Sequence, residues 1–168
     1  MTGLFIAPAT DREGAYGHFR KTMLDGVPQE MYSKYVEEKL GDRAHVWGLT
    51  SSTKKTWKNI DVNDWVLFYT RENQYEYSAQ VKRKQHEPDF GDEIREDILE
   101  NVSDDRNWDY LLFFNEPIKV AVSGDKIAEL LDYGNRYPVR FIRVTSERLE
   151  GIEAEYNGID SFISAISE

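Results

Sequence analysis

One stretch of the chain, from His45 to Lys84, constrains the fold more than any other part of the sequence. It carries most of a first strand candidate and two complete ones, all rich in aromatic and β-branched residues: Ala44–Thr50, Asp64–Thr70 and Tyr75–Arg83. A connection of hairpin length, Arg71–Gln74, joins the second candidate to the third. We therefore expect these two strands to pair in antiparallel orientation.

Further candidates flank this stretch on both sides. The remaining strands are predicted at Gly3–Ala9, Trp108–Asn115, Ile118–Val122 and Tyr137–Thr145. Helices are predicted at Tyr16–Leu24, Gln29–Leu40 (ended by Gly41), Asp92–Asn101, Asp125–Asp132 (capped by Ser123) and Ile159–Ile166, with turns at Thr10–Asp11 and Asp105–Asn107. A further short helix, capped by Ser51 or Ser52, is predicted to run through Trp57. About six strands interspersed with short helices predict an α+β fold built around a mixed, partly closed β-barrel. A chain of 168 residues suits one domain, spanning residues 1–168.

Composition excludes several classes of function. The chain has no cysteine, so disulfides, thiolate nucleophiles and cysteine-bound zinc are ruled out. Its three histidines, His18, His45 and His86, lack metal-binding spacing, and there is no glycine-rich phosphate loop. No apolar run approaches the roughly 20 residues that span a bilayer, and the N-terminus lacks the features of a signal peptide. We expect a cytoplasmic, non-catalytic protein with no cofactor, no bound metal and no membrane partner.

Charge gives a mixed signal. The net charge of −10 disfavours nucleic-acid binding, because phosphate neutralisation supplies most non-specific affinity. Three explanations stay open: the acidic residues lie on a far face, the protein comes from a saline cytoplasm, or it binds no nucleic acid. Basic residues are nevertheless clustered, at Lys54, Lys55 and Lys58, at Lys82, Arg83 and Lys84, and at Arg136, Arg140 and Arg143. Acidic residues concentrate at Glu87–Asp105 and Glu147–Glu155.

The four tryptophans can be either pocket walls or core. Trp47 lies on a strand and Trp108 follows a polar turn, so each fits both interpretations. Trp57, on a short polar helix, either lines a pocket or caps the barrel. Trp65 stands before Val66–Phe68 in an apolar run, which favours the core. Aromatic rings beside small hydroxyl residues and local positive charge are what a protein needs to hold a flat base next to phosphates.

The motifs also resemble a known group. Val46-Trp47-Gly48, followed by the segment Asn63–Tyr69, is similar to the core of the PUA-like superfamily, which includes the EVE and YTH domains that read modified bases. Further matches to the YTH pattern occur in chain order at Leu4-Phe5-Ile6, Trp108 and Tyr137–Arg140. The predicted helices before Trp47 make an insert that is longer than in YTH domains. EVE-type relatives, including the recognition domains of McrBC-family restriction systems, resemble the chain equally well.

This resemblance implies a reader that captures a flipped modified base in an aromatic cage, the base being methylated adenine (6-methyladenine) or methylated cytosine, in DNA rather than RNA. The implied base-binding residues are Trp47, Gly48, Leu49, Thr50, Trp57 and Trp108. We expect phosphate contacts from Lys54, Lys55, Lys58, Lys82, Arg83 and Lys84. The implied partner protein is a fused or associated NTPase or nuclease. The alternative is an acidic protein-interaction or regulatory module on the same fold.

Overall fold

The structure is a computed structural model that describes residues 2–10, 14–100 and 107–168. The described strands are β1 (Leu4–Pro8), β2 (Val27–Pro28), β3 (Arg43–Leu49), β4 (Trp65–Arg71), β5 (Gln74–His86), β6 (Tyr110–Phe114), β7 (Ile118–Ser123) and β8 (Ile142–Arg143). The described helices are α1 (Ala15–Phe19), α2 (Gln29–Tyr32), α3 (Lys54–Asn59), α4 (Pro88–Glu93), α5 (Gly124–Leu131), α6 (Ser146–Tyr156) and α7 (Ile159–Ile166). A π-helical turn extends α1 over Arg20–Leu24 and another extends α4 over Ile94–Leu99.

One mixed sheet contains all of these strands. Its order is β2-β3-β6-β5-β4-β1-β8, and β7 pairs with β5 beside this path. β1 runs parallel to β4, with Leu4 opposite Trp65 and Pro8 opposite Tyr69, and the other pairs are antiparallel. The predicted antiparallel hairpin is β4–β5, so this expectation is confirmed.

Contacts between distant strands show that the sheet curls on itself. β3 and β4 are separated by β6 and β5, which in a flat sheet would place them about 14 Å apart. Yet the ring centroids of Trp47 on β3 and Phe68 on β4 are 5.9 Å apart. The sheet must therefore bend round so that these two strands face each other. The predicted α+β fold with a mixed barrel surrounded by short helices is confirmed.

Two separate clusters of buried side chains lie on the two faces of the sheet. The first, which we call the aromatic cluster, is built around large rings of β1, β3, β4, β6 and α1 and of the segments just before β6 and β8: Phe5, Phe19, Trp47, Phe68, Trp108, Tyr110, Phe113, Phe114 and Phe141. The second, the aliphatic cluster, lies beneath α5, α6 and α7 and is mostly leucine, isoleucine and valine, with Tyr69 and Tyr75 among them. Along β1 and β4, side chains alternate between the two clusters, as strand geometry requires.

Helices α5 and α6 begin at hydroxyl caps. Ser123 Oγ accepts a hydrogen bond from the Lys126 amide at 3.0 Å, as predicted for α5. Thr145 caps α6 in the same way, accepting from the Arg148 amide. The sequence indicated only an acidic cluster at Glu147–Glu155, so this helix was missed. The last helix, α7, has the predicted bounds.

Two predicted elements are wrong in extent. The helix predicted over Gln29–Leu40 ends at Tyr32, because the chain beyond it wraps around the buried Tyr32 ring, whose hydroxyl donates to the Gly41 carbonyl and accepts from the Leu40 amide. The strand predicted over Tyr137–Thr145 shrinks to β8, which pairs with just two residues of β1. Pro138 has no N–H to offer a sheet, which favours a loop before β8. Of the eight strands in the described part of the chain, seven correspond to predicted candidates, and the two-residue β2 was not predicted.

Smaller differences concern the ends of elements. The helix predicted to begin at Asp92 begins at Pro88, in the first-turn position that suits proline. Its predicted end at Asn101, the Asp11 part of the first turn and the turn at Asp105–Asn107, except for Asn107 itself, lie outside the described residues. Among the residues that the structure describes, no helix has the length and hydropathy needed to cross a membrane.

Candidate nucleic-acid interface

Trp47 and Trp108 meet in the structure. Their ring centroids are 5.7 Å apart and their planes are inclined by 53°. Trp47 comes from the middle of β3, and Trp108 comes from the segment just before β6, the strand that pairs with β3. Each side chain is 8% exposed and belongs to the aromatic cluster. The sequence named both as candidate pocket walls, and the fold brings them together.

Two glycines make room for Trp108. A Cβ atom on Gly48 would lie 2.1 Å from the indole Cδ2 of Trp108, and one on Gly91 would lie 1.7 Å from the Trp108 carbonyl oxygen. Both distances are far inside van der Waals contact, so a side chain at either position would displace Trp108. Gly48 is therefore required because the indole lies directly on its backbone, which is a role that the sequence did not reveal.

Helix α1 covers part of this indole pair. The imidazole of His18 meets Trp108 edge-on, with ring centroids 6.0 Å apart and planes at 80°. The ring of Phe19 packs against Trp47 at 6.0 Å and against Phe68 at 4.8 Å. His18 was missed as a neighbour of the indoles, because nothing in the sequence relates α1 to a residue so far along the chain.

The inclination of the two indoles decides what they could hold. A base sandwiched between two parallel rings needs about 7 Å between them, or two ordinary stacking distances. At 5.7 Å and 53°, Trp47 and Trp108 instead touch each other and form two adjacent walls of a corner. The two rings therefore leave no space for a base between them, and with each side chain 8% exposed little of either face meets solvent.

The base-binding candidates that follow Trp47 lie between the indole pair and α3. Leu49 is buried opposite Tyr110 in the β3–β6 ladder. Thr50 follows the strand, and its carbonyl accepts hydrogen bonds from the amide and the hydroxyl of Thr53. Neither Ser51 nor Ser52 caps α3, since Thr53 occupies that position without a side-chain bond. Thr50 and Ser52 join their hydroxyls at 2.7 Å.

Trp57, on α3, packs against the aromatic cluster from outside. Its indole N–H donates to the Leu111 carbonyl at 3.1 Å, and its ring lies 5.1 Å from that of Tyr110. On Tyr110 the exposed imidazole of His86 stacks at 4.6 Å with planes at 19°. The sequence did not single out Tyr110 or His86. Both lie near α3 because Tyr110 is opposite Leu49 on one side and opposite His86 on the other.

The lysines of α3 project into solvent. Lys54, Lys55 and Lys58 are exposed, and none of the three has a carboxylate partner among the described residues. The Lys54 ammonium lies 5.7 Å from the centroid of the Tyr110 ring, which keeps it beside the aromatic side chains. These three cations form a compact positive surface within one short helix.

The second basic group does not act as a unit. Lys84 Nζ donates to the carbonyls of Trp57 and Lys58, both at 3.1 Å, and so holds the end of α3. Arg83 points the other way, to Gln85 at 3.0 Å and Glu38 at 3.5 Å. Lys82 is exposed. The fold therefore joins Lys84, but not Arg83, to the lysines of α3.

An arginine that the sequence left unassigned extends this positive surface. Arg143, on β8, donates from Nη1 to the carbonyl of Asn59, the last residue of α3, at 3.0 Å. Its guanidinium also lies over the Phe5 ring, 5.6 Å from the centroid. We call the surface made by Lys54, Lys55, Lys58, Lys84 and Arg143 the basic row.

No family model matches the sequence, and no curated protein matches it. Among solved structures, the fold is similar to that of the N-terminal domain of Thermococcus gammatolerans McrB bound to m5C DNA. That likeness has a TM-score of 0.70 at 22% identity and covers 91% of this chain and 96% of that one. It is also similar to ASCH from Zymomonas mobilis, with a TM-score of 0.50 at 8% identity, covering 91% and 95% of the two chains. The chain therefore has a PUA-like fold of the kind seen in the McrB N-terminal domain.

Proposed function

We propose that this protein is a non-catalytic domain that binds DNA and captures a modified base. The observation that carries the proposal is the corner formed by Trp47 and Trp108. Thr50 follows β3 and leads toward α3, whose lysines have no carboxylate partner among the residues that the structure describes. Aromatic walls beside a cationic surface suit a base and its phosphates respectively. The proposal assigns the base to the indole pair, with Gly48 and Leu49 as its backbone support, and the phosphates to the basic row.

The corner arrangement suits a methylated base for energetic reasons. Stacking a base on an aromatic side chain contributes about 1–3 kcal/mol and depends little on which base it is. Burial of one methyl group adds only about 0.8 kcal/mol, a factor of about four in affinity. Discrimination therefore needs a site in which the methyl touches two walls and an unmodified amine would lose bound water. A base enters such a site by flipping out of the duplex, at a cost of a few kcal/mol.

Trp57 takes a different role in this proposal. Its indole N–H is already bonded to the Leu111 carbonyl, and the Lys84 ammonium lies 4.9 Å from the centroid of its ring. Trp57 therefore supports α3 and keeps Lys84 in place. Lys82 and Arg83 supply at most peripheral phosphate contacts, because Arg83 faces Glu38 on the opposite side of β5 from Lys84.

The fold comparison supports DNA as the ligand. The McrB N-terminal domain that shares this fold was solved with m5C DNA, which makes methylated cytosine the first base to test and methylated adenine the second. We further propose that the chain is the targeting domain of a modification-dependent restriction system and acts with an NTPase or nuclease that is fused to it or binds it.

A titration tests the function. Two pairs of duplexes, cytosine against 5-methylcytosine and adenine against N6-methyladenine at the central position, are titrated by fluorescence anisotropy at about 50 mM and about 200 mM salt. Within each pair the sequence is the same. We expect one methylated duplex to bind at least fourfold more tightly than its own unmodified duplex at both salt concentrations. Equal affinity within both pairs would exclude a modified-base reader.

A second function is favoured by the opposite side of the molecule. A groove of about 500 Å³ between α6 and α7 is lined by Glu150, Glu153 and Asp160 together with Leu149 and Ile159. With a net charge of −10, this acidic surface suits an interaction or regulatory module that binds a basic protein. The same titration separates the two functions, since such a module would bind none of the duplexes even at low salt.

A further inference from the structure

The end of β5 presents different side chains on its two sides. His86 lies on the side of α3, where its ring stacks on that of Tyr110. Gln85 and Glu87 lie on the other side together with Arg83, because the Gln85 amide accepts from Arg83 at 3.0 Å and donates to Glu87 at 3.0 Å. Strand alternation explains this division. The carboxylate that follows His86 in the chain therefore points away from the basic row.

The imidazole of His86 is a flat ring that meets solvent. Its centroid is 4.6 Å from that of the Tyr110 ring, and the two planes are inclined by only 19°, so the rings are stacked. Tyr110 is 8% exposed, whereas His86 is exposed. The two residues are also direct partners in the β5–β6 ladder, which holds their backbones together. One face of the imidazole therefore rests on Tyr110, and its outer face is open.

Ammonium groups lie beside the rings that support His86. The Lys54 ammonium is 5.7 Å from the centroid of the Tyr110 ring. The half-buried ring of Trp57 lies 5.1 Å from that of Tyr110, and the Lys84 ammonium is 4.9 Å from its centroid. Aromatic rings and cations thus share one surface, which continues into the basic row. An exposed ring next to lysines is the combination on which an unpaired base and its phosphate can be held.

This surface is close to the indole pair. Tyr110 comes two residues after Trp108, a distance of about 7 Å along extended chain, and both side chains belong to the aromatic cluster. Two steps along a DNA strand span about the same length, at roughly 3.4 Å per nucleotide. A strand that delivers one base to the indole pair can therefore deliver a base one or two positions away to His86.

We infer that the outer face of His86 is a stacking site for a second, unpaired base of the same strand, within two positions of the captured base, with Lys54 on the adjoining phosphate. This inference rests on the proposed function and deepens it, because it defines the ligand as methylated DNA whose target base has an unpaired neighbour. Histidine rings stack on splayed bases in other single-strand complexes. We call this the second-base site.

The second-base site predicts that the contribution of His86 depends on the presence of one particular base. Removing that base from the DNA removes the stack, so a His86 variant then has nothing more to lose. A residue that touches a phosphate would instead contribute equally with or without the base. Combining a protein change with a DNA change in one double-mutant cycle separates these two cases.

The test uses single strands with one methylated base at the centre, so that no pairing has to be broken. One strand is complete, one lacks the two bases on the 5′ side of the methylated base, and one lacks the two bases on its 3′ side. We expect His86→Ala to bind the complete strand about fivefold more weakly than the wild type does. The loss should vanish on one of the two abasic strands, and that strand identifies the side on which the second base lies.

Two further variants control for other causes. His86→Phe keeps a flat ring on Tyr110 without the ring nitrogens, so it should bind all three strands as the wild type does. Tyr137→Ala removes an exposed aromatic ring that lies against Tyr69, on the side of the aliphatic cluster, and should also leave binding unchanged. Fluorescence anisotropy measures all of these affinities.

The outcomes separate the second-base site from the proposed function. An equal loss for His86→Ala on all three strands, or no loss on any, would overturn the site, and so would a His86→Phe variant that binds as weakly as His86→Ala. Methyl preference in the wild type together with any of these results removes the second-base site alone. Equal binding of methylated and unmodified complete strands by the wild type would exclude the proposed function, and with it a site beside a captured base.

Discussion

Trp47 and Trp65 show how differently the two faces of the sheet use the same side chain. Trp47, in the aromatic cluster, is 8% exposed and contacts the rings of Phe19 and Phe68. Trp65, beside the aliphatic cluster, is half-buried, and its indole N–H donates to Asp160 Oδ1 at 2.8 Å at the surface. The candidate ligand-binding residue is thus also the more deeply buried one. On the aromatic face, core and candidate site are built from the same rings.

This contrast reverses the expectation from the sequence, which placed Trp65 in the core because an apolar run follows it. Alternation explains the reversal. Val66 and Phe68 point to the aromatic cluster, whereas Trp65 and Leu67 point to the aliphatic one. As the first residue of β4, Trp65 reaches only the beginning of α7, which covers one side of its ring. An unbroken apolar run therefore says little about the burial of its first member.

The largest expected effect is on stability. Trp47→Ala should lower the free energy of unfolding by about 3–5 kcal/mol, because it empties the centre of the aromatic cluster. Trp65→Ala should cost less than half of that, since much of its ring is already in contact with water. Urea unfolding followed by circular dichroism measures both. Equal losses of stability, or a larger loss for Trp65→Ala, would mean that Trp47 is not packed more tightly than Trp65.

A conservative variant keeps binding measurable. Trp47→Phe retains a ring within the cluster, so the protein should stay folded while losing part of the stacking surface. We expect weaker binding of the methylated duplex by up to the 1–3 kcal/mol of one aromatic stack. Trp65→Phe is the matched control and should leave binding unchanged. If both variants bind like the wild type, Trp47 is a structural residue and the proposed site is wrong.

The next effect is on the packing of Trp108. Gly48→Ala places a methyl group 2.1 Å from its indole, so Trp108 must move, and we expect a loss of about 1–3 kcal/mol of stability. Gly17→Ala is the control, since a Cβ there meets nothing within 4 Å and alanine favours the helix. Differential scanning calorimetry should show a lower melting temperature for Gly48→Ala and an equal or higher one for Gly17→Ala. Similar melting temperatures would mean that Trp108 is not held against Gly48.

Local patterns predicted most of the elements. The β4–β5 hairpin, the Ser123 cap and helix α7 follow from turn length, capping chemistry and helical spacing, all of which are read within a few residues. The errors at Gln29–Leu40 and Tyr137–Thr145 have a tertiary cause. The predicted helix ends at Tyr32 because the Tyr32 hydroxyl forms hydrogen bonds with the backbone eight and nine residues further along the chain. The predicted strand is short because only two of its residues pair with β1.

The candidate site likewise has one part that the sequence predicts and another that depends on contacts between distant elements. Trp47 and the lysines of α3 could be named from composition and motif, and the pairing of β3 with β6 unites Trp47 with Trp108. Sequence could not assign His18 to Trp108 or Arg143 to the end of α3, because each contact joins elements far apart in the chain. Strand alternation alone predicts that Arg83 and Lys84 face opposite sides of β5, and the structure agrees.

Lysines of the basic row and a lysine on the side of the aliphatic cluster should differ in their effect on DNA binding. Replacing Lys54, Lys55 or Lys58 singly by glutamine should weaken binding to methylated and unmodified duplexes alike. Each change should lower the salt slope by about one phosphate contact. Lys126→Gln is the control on the aliphatic side, where the ammonium pairs with Glu155 at 3.4 Å, and it should leave the slope unchanged. A change in methyl preference with an unchanged slope would instead place these lysines in the base pocket.

The smallest effect concerns the aliphatic face and is absent at neutral pH. Burial raises the pKa of the Tyr75 hydroxyl well above its ordinary value of 10.0, and the neighbouring Tyr69 and Tyr133 raise it further. The folded protein therefore keeps the Tyr75 proton to a higher pH than the unfolded chain does. Stability from this residue is fully present below pH 10.0 and falls as the pH rises above it, by about 1.4 kcal/mol per pH unit.

Tyr75→Phe removes this ionisation while keeping the ring, so its unfolding free energy should decline less steeply above pH 10.0 than that of the wild type. Urea unfolding on both sides of that pH measures the difference between the two slopes. Trp47 and its neighbouring phenylalanines do not ionise, so Trp47→Phe should follow the wild-type pH profile from a lower starting stability. Parallel curves for the wild type and Tyr75→Phe would mean that water reaches the Tyr75 hydroxyl, and the aliphatic face would then be looser than its packing indicates.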